Sequence, residues 1–195
     1  MSKFSLICVS LVILTLLSGC SHKKIWVYAS SQIQVDESQK NITVTEGTTH
    51  NEKALEFSGS GPVSLQVQSP AGKFSIETTG EGLFIANLQK DTLVGSFQHL
   101  STDNGKVIYT PELLAHVVDS LGQLITGKNI SEANKNYLIP PGKIGRITAN
   151  TDARIFGPYT TIPSGFDASN VPELYKFYTN NEVREIIGKL SAMGK

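Results

Sequence analysis

The segment VSLQVQSPAGKFSI, residues 63–76, alternates apolar and polar side chains on both sides of a short turn. Alternation with a period of two is typical of strands that bury one face. The turn SPAG, residues 69–72, has proline second and glycine fourth, which favours a type I turn. The segment therefore predicts an antiparallel hairpin, with apolar positions at Val63, Leu65, Val67, Phe74 and Ile76.

Further short strands are predicted on both sides of this hairpin. Before it, apolar residues stand two positions apart, as in Ile33 with Val35 and Ile42 with Val44. After it, turn residues separate apolar runs as far as Phe97, which predicts that the middle of the chain is an antiparallel meander. Residues 137–139, 144–148 and 153–156 predict more strands and a second hairpin.

Two regions have the pattern of helices. Thr110 and Pro111 favour a helix start, and the following apolar stripe predicts a helix over residues 111–126. Near the end, a cap at residues 170–173 and a capping box at 179–182 predict a second helical region over residues 171–192.

These elements together predict an α+β fold. We expect an antiparallel β-sheet or partial sandwich, built mostly from residues 25–100 and 137–162. Two or three helices, including 111–126 and 171–192, would cover it.

The first twenty residues carry the most specific motif of the chain. Lys3 is followed by the uncharged run 4–17 and then by Ser18, Gly19 and Cys20. A membrane-spanning helix needs about 20 apolar residues, so this run is too short to remain as a span. A charged start, an apolar run and small residues predict a signal peptide over residues 1–19.

The sequence LSGC, residues 17–20, resembles the lipobox of bacterial lipoproteins. The resemblance covers only residues 1–20 and implies cleavage before Cys20, thioether lipidation of its sulfur and acylation, such as with palmitate, of its new amino group. Two or more acyl chains anchor a protein stably. An ordinary cysteine after a conventional cleavage site is the alternative.

Ser21 follows the lipobox where an aspartate usually signals retention in the inner membrane of Gram-negative bacteria. The resemblance therefore implies the outer membrane, facing the periplasm. A Gram-positive host would instead place the protein on the outer leaflet of its membrane.

Removing 19 of the 195 residues leaves 176, which is enough for one domain with its own core. We predict a tether over residues 20–24 and a single domain over residues 25–195. Because this tether is short, the domain is expected to work close to the membrane surface. Lys23, Lys24, Trp26 and Tyr28 could contact lipid head groups, although solvated lysines beside a core strand are the favoured interpretation.

Charge and cysteine usage exclude several functions. Without Lys3 the chain keeps 16 of its 17 basic residues against 17 acidic ones, so no basic field predicts nucleic-acid binding. Cys8 lies in the signal peptide and Cys20 is the lipidation site. No thiol remains for a disulfide, a metal or a nucleophile.

The four histidines do not have metal-ligand spacing, so no metal-binding residue is predicted. His22 lies in the tether, His50 in a polar loop and His116 beside a helical stripe. His99 stands near Ser96, Ser101 and Asp103, but there is no nucleophile elbow, so no catalytic residue is predicted either.

Two further patterns have simple explanations. Residues 58–62, SGSGP, do not have the lysine and helix of a phosphate loop and are expected to connect two strands. Glu77, Glu81 and Asp91 could supply a carboxylate pair for glycoside hydrolysis. Carboxylates at strand ends and turns are more often simply solvated. The sequence predicts no cofactor-binding residue.

The aromatic segment IFGPY, residues 155–159, followed by PSGF, residues 163–166, is more suggestive. A loop rich in proline and glycine with exposed rings can contact a sugar or a partner protein. Rings that cover the end of the core are the favoured alternative.

The sequence therefore predicts a lipid-anchored envelope lipoprotein and favours a binding module over an enzyme. Its ligand would be a protein or a cell-wall or saccharide component. An envelope hydrolase acting on polysaccharide, peptidoglycan or lipid is the alternative. A structural lipoprotein whose final helix docks a partner is a third hypothesis.

Overall fold

The computed structural model describes residues 22–98, 110–163, 166 and 173–194. Within them the chain forms twelve strands in three four-stranded sheets, together with two helices. The strands are β1 (His22–Ala29), β2 (Ile33–Asp36), β3 (Asn41–Val44), β4 (Asn51–Ser58), β5 (Val63–Ser69), β6 (Gly72–Thr78), β7 (Gly82–Leu88), β8 (Leu93–Phe97), β9 (Asn136–Ile139), β10 (Lys143–Thr148), β11 (Arg154–Phe156) and β12 (Leu174–Thr179). The helices are α1 (Pro111–Ile125) and α2 (Asn180–Met193).

The central sheet has the strand order β10-β7-β1-β4 and is buried on both faces. On one face, Ile25 and Phe84 pack against the second sheet, β2-β3-β5-β6. On the other face, Tyr28 and Ile85 pack against the third sheet, β11-β12-β8-β9. The three sheets are therefore stacked as layers, and this explains why residues 25–29 of β1 and most of β7 are apolar.

The second sheet contains the hairpin predicted from residues 63–76. Strands β5 and β6 pair antiparallel, with Ser69 opposite Gly72. Gly72 has a φ of 124°, a conformation that glycine adopts without strain. This prediction is confirmed.

Both helices contact the third sheet. Helix α1 packs against α2 and β9, and α2 contacts β12 and β8. The side chain of Thr110 accepts a hydrogen bond from the amide of Leu113, which caps α1 as predicted. Thr179 is both the last residue of β12 and the N-cap of α2, and its capping box with Glu182 is confirmed.

The prediction of a mixed fold is confirmed, but the structure is richer in strands than expected. Three of the strand pairs are parallel: β1 with β7, β3 with β5, and β11 with β12. The predicted meander is wrong, because β7 pairs with β1 and β10 while β8 belongs to the third sheet. The second hairpin is also wrong, since β9, β10 and β11 each pair with a different partner.

The predicted start of the C-terminal helical region is wrong as well. Residues 174–179 form strand β12, and the helix begins only at Asn180. Leu174, Phe177 and Tyr178 have helical spacing, but Tyr175 and Phe177 are both buried against the central sheet. The tertiary environment overrides the local pattern.

Candidate functional site

A groove of about 430 Å³ lies where the loop after β11 crosses β12 and the start of α2. Two tyrosines and one isoleucine supply apolar surface, and two hydroxyls, an amine and a carboxylate supply polar atoms. The residues around it are Tyr159, Thr160, Thr161, Ile162, Lys176, Tyr178 and Glu182. A recess that combines apolar surface with a few polar groups is the usual form of a ligand site.

Tyr159 is the most unusual residue of this groove. Its side chain is 65% exposed, and its backbone has a φ of 60°. A bulky residue rarely adopts a positive φ, and such strain concentrates at functional positions. Its ring meets the ring of His50 edge to face, with centroids 5.6 Å apart.

Glu182 holds this loop against helix α2. One carboxylate oxygen, Oε1, accepts the backbone amide of Tyr159 at 2.8 Å. The other, Oε2, accepts the backbone amide of Thr179 at 2.7 Å in the capping box. A single side chain therefore fixes both the start of the helix and the position of Tyr159.

Lys176 lies beneath the same loop and is only 5% exposed. Its Nζ donates hydrogen bonds to the carbonyl oxygens of Gly157 at 2.5 Å and Phe177 at 2.7 Å. The ammonium also lies 4.1 Å from the centroid of the Tyr178 ring, a cation–π distance. These contacts anchor the loop from below.

Burial lowers the pKa of Lys176 from its ordinary value to about 8, although the nearby charges of Glu182 and Glu52 act in the opposite direction. Its amine therefore remains mainly protonated at neutral pH. The groove then contains one positive and one negative side chain, Lys176 and Glu182.

Behind Tyr159, aromatic rings form a row that reaches into the central sheet. The rings of His50 and Tyr28 stack with centroids 5.8 Å apart, and those of Tyr28 and Trp26 are 6.5 Å apart. Nδ1 of His50 lies 2.6 Å from the side-chain amide nitrogen of Gln89. Because an amide nitrogen donates, Nδ1 accepts in this arrangement and the neutral ring carries its proton on Nε2.

Three polar atoms of this row are buried and have no hydrogen-bond partner among the described residues. They are Nε1 of Trp26, the hydroxyl of Tyr28 and Nε2 of His50. Nε2 of His50 is 3.8 Å from the carboxylate of Glu52, which is within ion-pair range when the ring is protonated. Burial, and secondarily the charge of Glu52, raises the pKa of Tyr28 well above its ordinary value, so this hydroxyl stays neutral.

The groove lies towards the C-terminal end of strand β1. Tyr28 follows His22, the first residue of β1, by six positions. At about 3.3 Å per residue this separation is about 20 Å. The row from Tyr28 through His50 to Tyr159 is therefore distant from His22 at the start of β1.

Among the described residues, the histidines considered as candidates from the sequence lie on different parts of the fold. His22 and His116 are exposed, on β1 and α1 respectively, whereas His50 contacts Tyr159. Ser96, near the end of β8, accepts a hydrogen bond from the side-chain amide of Gln98, which directly follows the strand. The predicted positions Cys20, His99, Ser101 and Asp103 lie outside the described residues.

The lysines near the start of β1 differ from each other. Lys24 pairs with Glu56 at 3.3 Å. Lys23 is only 1% exposed and donates to the carbonyl oxygen of Gly59 at 2.6 Å, so the expectation of a solvated lysine is wrong there. Tyr28 is fully buried, which confirms the core interpretation for that residue.

The three carboxylates considered for hydrolysis lie on different elements. Glu77 is exposed on β6, and Glu81 is exposed in the turn before β7. Asp91 accepts the backbone amides of Thr92 and Asn181, at 2.8 and 2.9 Å, and so supports the first turn of α2. Within the segment 58–62, Ser58 ends β4 and residues 59–62 connect it to β5, as predicted.

The sequence indicates the aromatic loop but not most of the residues that hold it in place. Lys176 stands between the core residues Tyr175 and Phe177. In a strand, alternation places its side chain on the other face from theirs. That signal was hidden by the helical interpretation of residues 174–179. His50 and Glu52 had no signal, because their contacts come from distant parts of the chain.

Within the described ranges, no group of three or more histidine, cysteine, aspartate or glutamate side chains is placed to hold a metal ion. None of the helices in the described part of the chain has the length and apolar character needed to cross a membrane.

Comparison of the chain with protein-family models, with curated proteins and with solved structures found no match.

Proposed function

We propose that this protein is an exported lipoprotein, anchored through lipid on Cys20, that binds a saccharide of the cell envelope in the groove beside Tyr159. In this proposal the protein is a binding module and leaves its ligand chemically unchanged. The observation that carries the proposal is Tyr159: its ring is exposed, its backbone has a positive φ, and its amide is held by Glu182.

The apolar part of the groove suits one face of a sugar ring. A pyranose presents C–H groups on its faces and hydroxyls at its edges. Tyrosine offers a flat apolar ring with a polar tip, which is a favourable surface for such an amphipathic ligand. Tyr178 and Ile162 extend this apolar surface beside Tyr159.

The polar part of the groove suits the hydroxyls. Thr160 and Thr161 can both donate and accept hydrogen bonds. Lys176 and Glu182 already bond backbone groups, and their charges in the groove are opposite in sign. This balance favours a neutral or zwitterionic saccharide over a strongly charged one.

The loop that carries Tyr159 is fixed at two points before any ligand arrives. Lys176 holds the carbonyl oxygen of Gly157, and Glu182 holds the amide of Tyr159. A site that is already ordered loses less conformational entropy on binding, which supports affinity in a small groove.

The position of the groove refines the expected place of binding. With lipid on Cys20, the start of β1 would lie near the membrane. The groove lies towards the other end of β1, about 20 Å along the strand. The ligand would then be bound away from the lipid surface, as suits a cell-wall component. The outer membrane, facing the periplasm, remains the proposed location.

A hydrolase remains the alternative. Its candidate residues His99, Ser101 and Asp103 lie outside the described residues. In the groove itself, both oxygens of Glu182 accept backbone amides, which favours a positioning role for this carboxylate.

The test is calorimetric titration of the full-length protein in detergent with chitotetraose and with soluble muropeptides. We expect at least one of them to bind, and Tyr159→Ala to weaken binding at least tenfold, or about 1.4 kcal/mol. Tyr159→Phe keeps the ring and should bind within about threefold of the wild type. Met193→Ala removes another exposed apolar side chain and should have no effect.

Failure of both chitotetraose and the muropeptides to bind would overturn the proposal, even if a protein partner were captured. Equal binding by Tyr159→Ala would also overturn it. Mass spectrometry of the recovered saccharide should show intact ligand. A cleaved product would support the hydrolase instead.

A further inference from the structure

A second recess, which we call the end pocket, lies at one end of the space between the central and second sheets. Its volume is about 260 Å³. Its apolar side chains include Val44, Phe74 and Leu88, which belong to or pack against the core between these sheets. Residues 69–71 and 141–142, from two turns of different sheets, also line it. None of its lining residues lines the groove at Tyr159.

Two prolines make these turns stiff. Pro70 lies in the hairpin turn between β5 and β6, and Pro141 lies in the turn between β9 and β10. The ring of each proline fixes its backbone φ. Gly142, next to Pro141, has a φ of 71°, and a Cβ built on it would lie 3.8 Å from the ring of Phe74. The end pocket therefore has a preformed shape.

The size of the end pocket selects a small ligand. A dry apolar cavity of about 150 Å³ is enough to hold benzene. The end pocket is larger, and this volume suits one ring or two fused rings. A stable protein partner needs about 800 Å² of contact surface on each side, which a recess of this size does not provide.

Charge and surface chemistry narrow the ligand further. The charged residues among its lining are Glu46 and Lys90, one of each sign, so the pocket favours no net ligand charge. The ring of Phe74 and the pyrrolidine faces of Pro70 and Pro141 offer flat apolar surfaces. An aromatic ligand ring can pack against the ring of Phe74 in offset or edge-to-face geometry.

We propose that the end pocket binds a small neutral aromatic molecule of one or two fused rings. This site is separate from the saccharide groove and has a different chemistry. Binding of an aromatic molecule there does not depend on the proposed saccharide binding.

The test is a titration of the full-length protein with indole, followed through its backbone amide NMR signals at constant detergent concentration. Saturable shifts should cluster at the amides of residues 44–47, 69, 71, 88–90 and 142; Pro70 and Pro141 have no amide proton. Chitotetraose, in a parallel titration, should leave these signals unchanged. Shifts that are not saturable, or that centre on other residues, would overturn the proposal.

A matched pair of variants sharpens the test. Ala71 is exposed at the mouth of the end pocket, so Ala71→Trp should block it without disturbing the core. We expect Ala71→Trp to weaken indole binding at least tenfold. Ala115→Trp, the same change at an exposed position of α1, should bind within twofold of the wild type. Equal binding by Ala71→Trp and the wild type would contradict the assignment.

Discussion

The carboxylate of Glu182 accepts the backbone amide of Tyr159 at 2.8 Å, across 23 positions of the chain. The same carboxylate closes the capping box with Thr179. One side chain therefore couples the first turn of α2 to the loop that presents the exposed tyrosine. This coupling explains how a strained residue in a surface loop keeps a defined position.

Glu182→Gln should lower the free energy of unfolding by about 1–2 kcal/mol. A glutamine has one acceptor oxygen, so the amide of Tyr159 or of Thr179 loses its partner. Urea denaturation would measure the loss. Glu185→Gln, at an exposed position of the same helix, is the control and should change stability by less than about 0.5 kcal/mol. Equal stability of the two variants would contradict the role given to Glu182.

Lys176 should make stability depend on pH above 8. Its pKa is about 8 in the folded protein and 10.5 for the ordinary side chain, so between these values the unfolded state binds more protons. The cost of burying the charge is fully present below pH 8 and disappears as the pH rises towards 10.5. The buried tyrosines, whose pKa values are raised, act in the opposite direction above about pH 10, so the useful window ends near pH 9.5.

The measurement compares the wild type with Lys176→Met by urea denaturation at pH 7.5 and 9.5. The wild type should gain about 1–2 kcal/mol relative to the variant over this interval. The same difference in free energy of unfolding at both pH values would contradict titration of Lys176 in this range.

Gly157→Ala should destabilise the protein by about 1–3 kcal/mol. A Cβ at this position would lie 2.4 Å from Cε1 of Tyr28 and 2.7 Å from Oε2 of Glu52, so the loop would have to move. Thermal unfolding would detect the change. Gly188→Ala places the same methyl group in open space on α2 and should be neutral or stabilising by up to about 1 kcal/mol. A neutral Gly157→Ala would contradict the close packing of the loop.

Cys20→Ser should abolish palmitate labelling and move the protein to the soluble fraction, because the anchor requires the sulfur atom. Metabolic labelling and fractionation of cells would measure both effects. Cys8→Ser changes the other cysteine of the chain and should leave label and fractionation unchanged. A wild-type protein without label, or a Cys20→Ser protein that stays in the membrane, would overturn the lipoprotein assignment.

Local sequence patterns predicted local structure well. The hairpin at 63–76, the start of α1 after Thr110 and the capping box at Thr179 each depend on residues close together in the chain. Their signals are turn chemistry and caps, which act over a few residues. Most strand positions followed from alternation for the same reason.

Strand pairing could not be predicted in this way. The central pair, β1 with β7, joins His22–Ala29 to Gly82–Leu88 in parallel, and no local signal specifies such a distant partner. Strand β12 was mistaken for helix because burial of both faces removes simple alternation. Lys176 is the extreme case, since its burial depends on carbonyl oxygens that only the folded loop supplies.

The candidate site was predictable only in part. Residues 155–159 were recognisable as an aromatic loop from their composition. The contacts that give the loop its shape, from Glu182, Lys176 and His50, come from three separate elements or loops. These contacts form only in the folded protein, where residues distant in the chain lie side by side.

The most direct test of saccharide binding beside Tyr159 is an amide NMR map of the full-length protein, titrated with the saccharide that binds it. Saccharide binding in the groove predicts perturbations at residues 159–162, 176, 178 and 182, which line it. Leu113 and Met193, exposed apolar residues outside the groove, should be unaffected. Perturbations that centre away from Tyr159, or a Tyr159→Ala protein with the same map and affinity, would contradict saccharide binding in this groove.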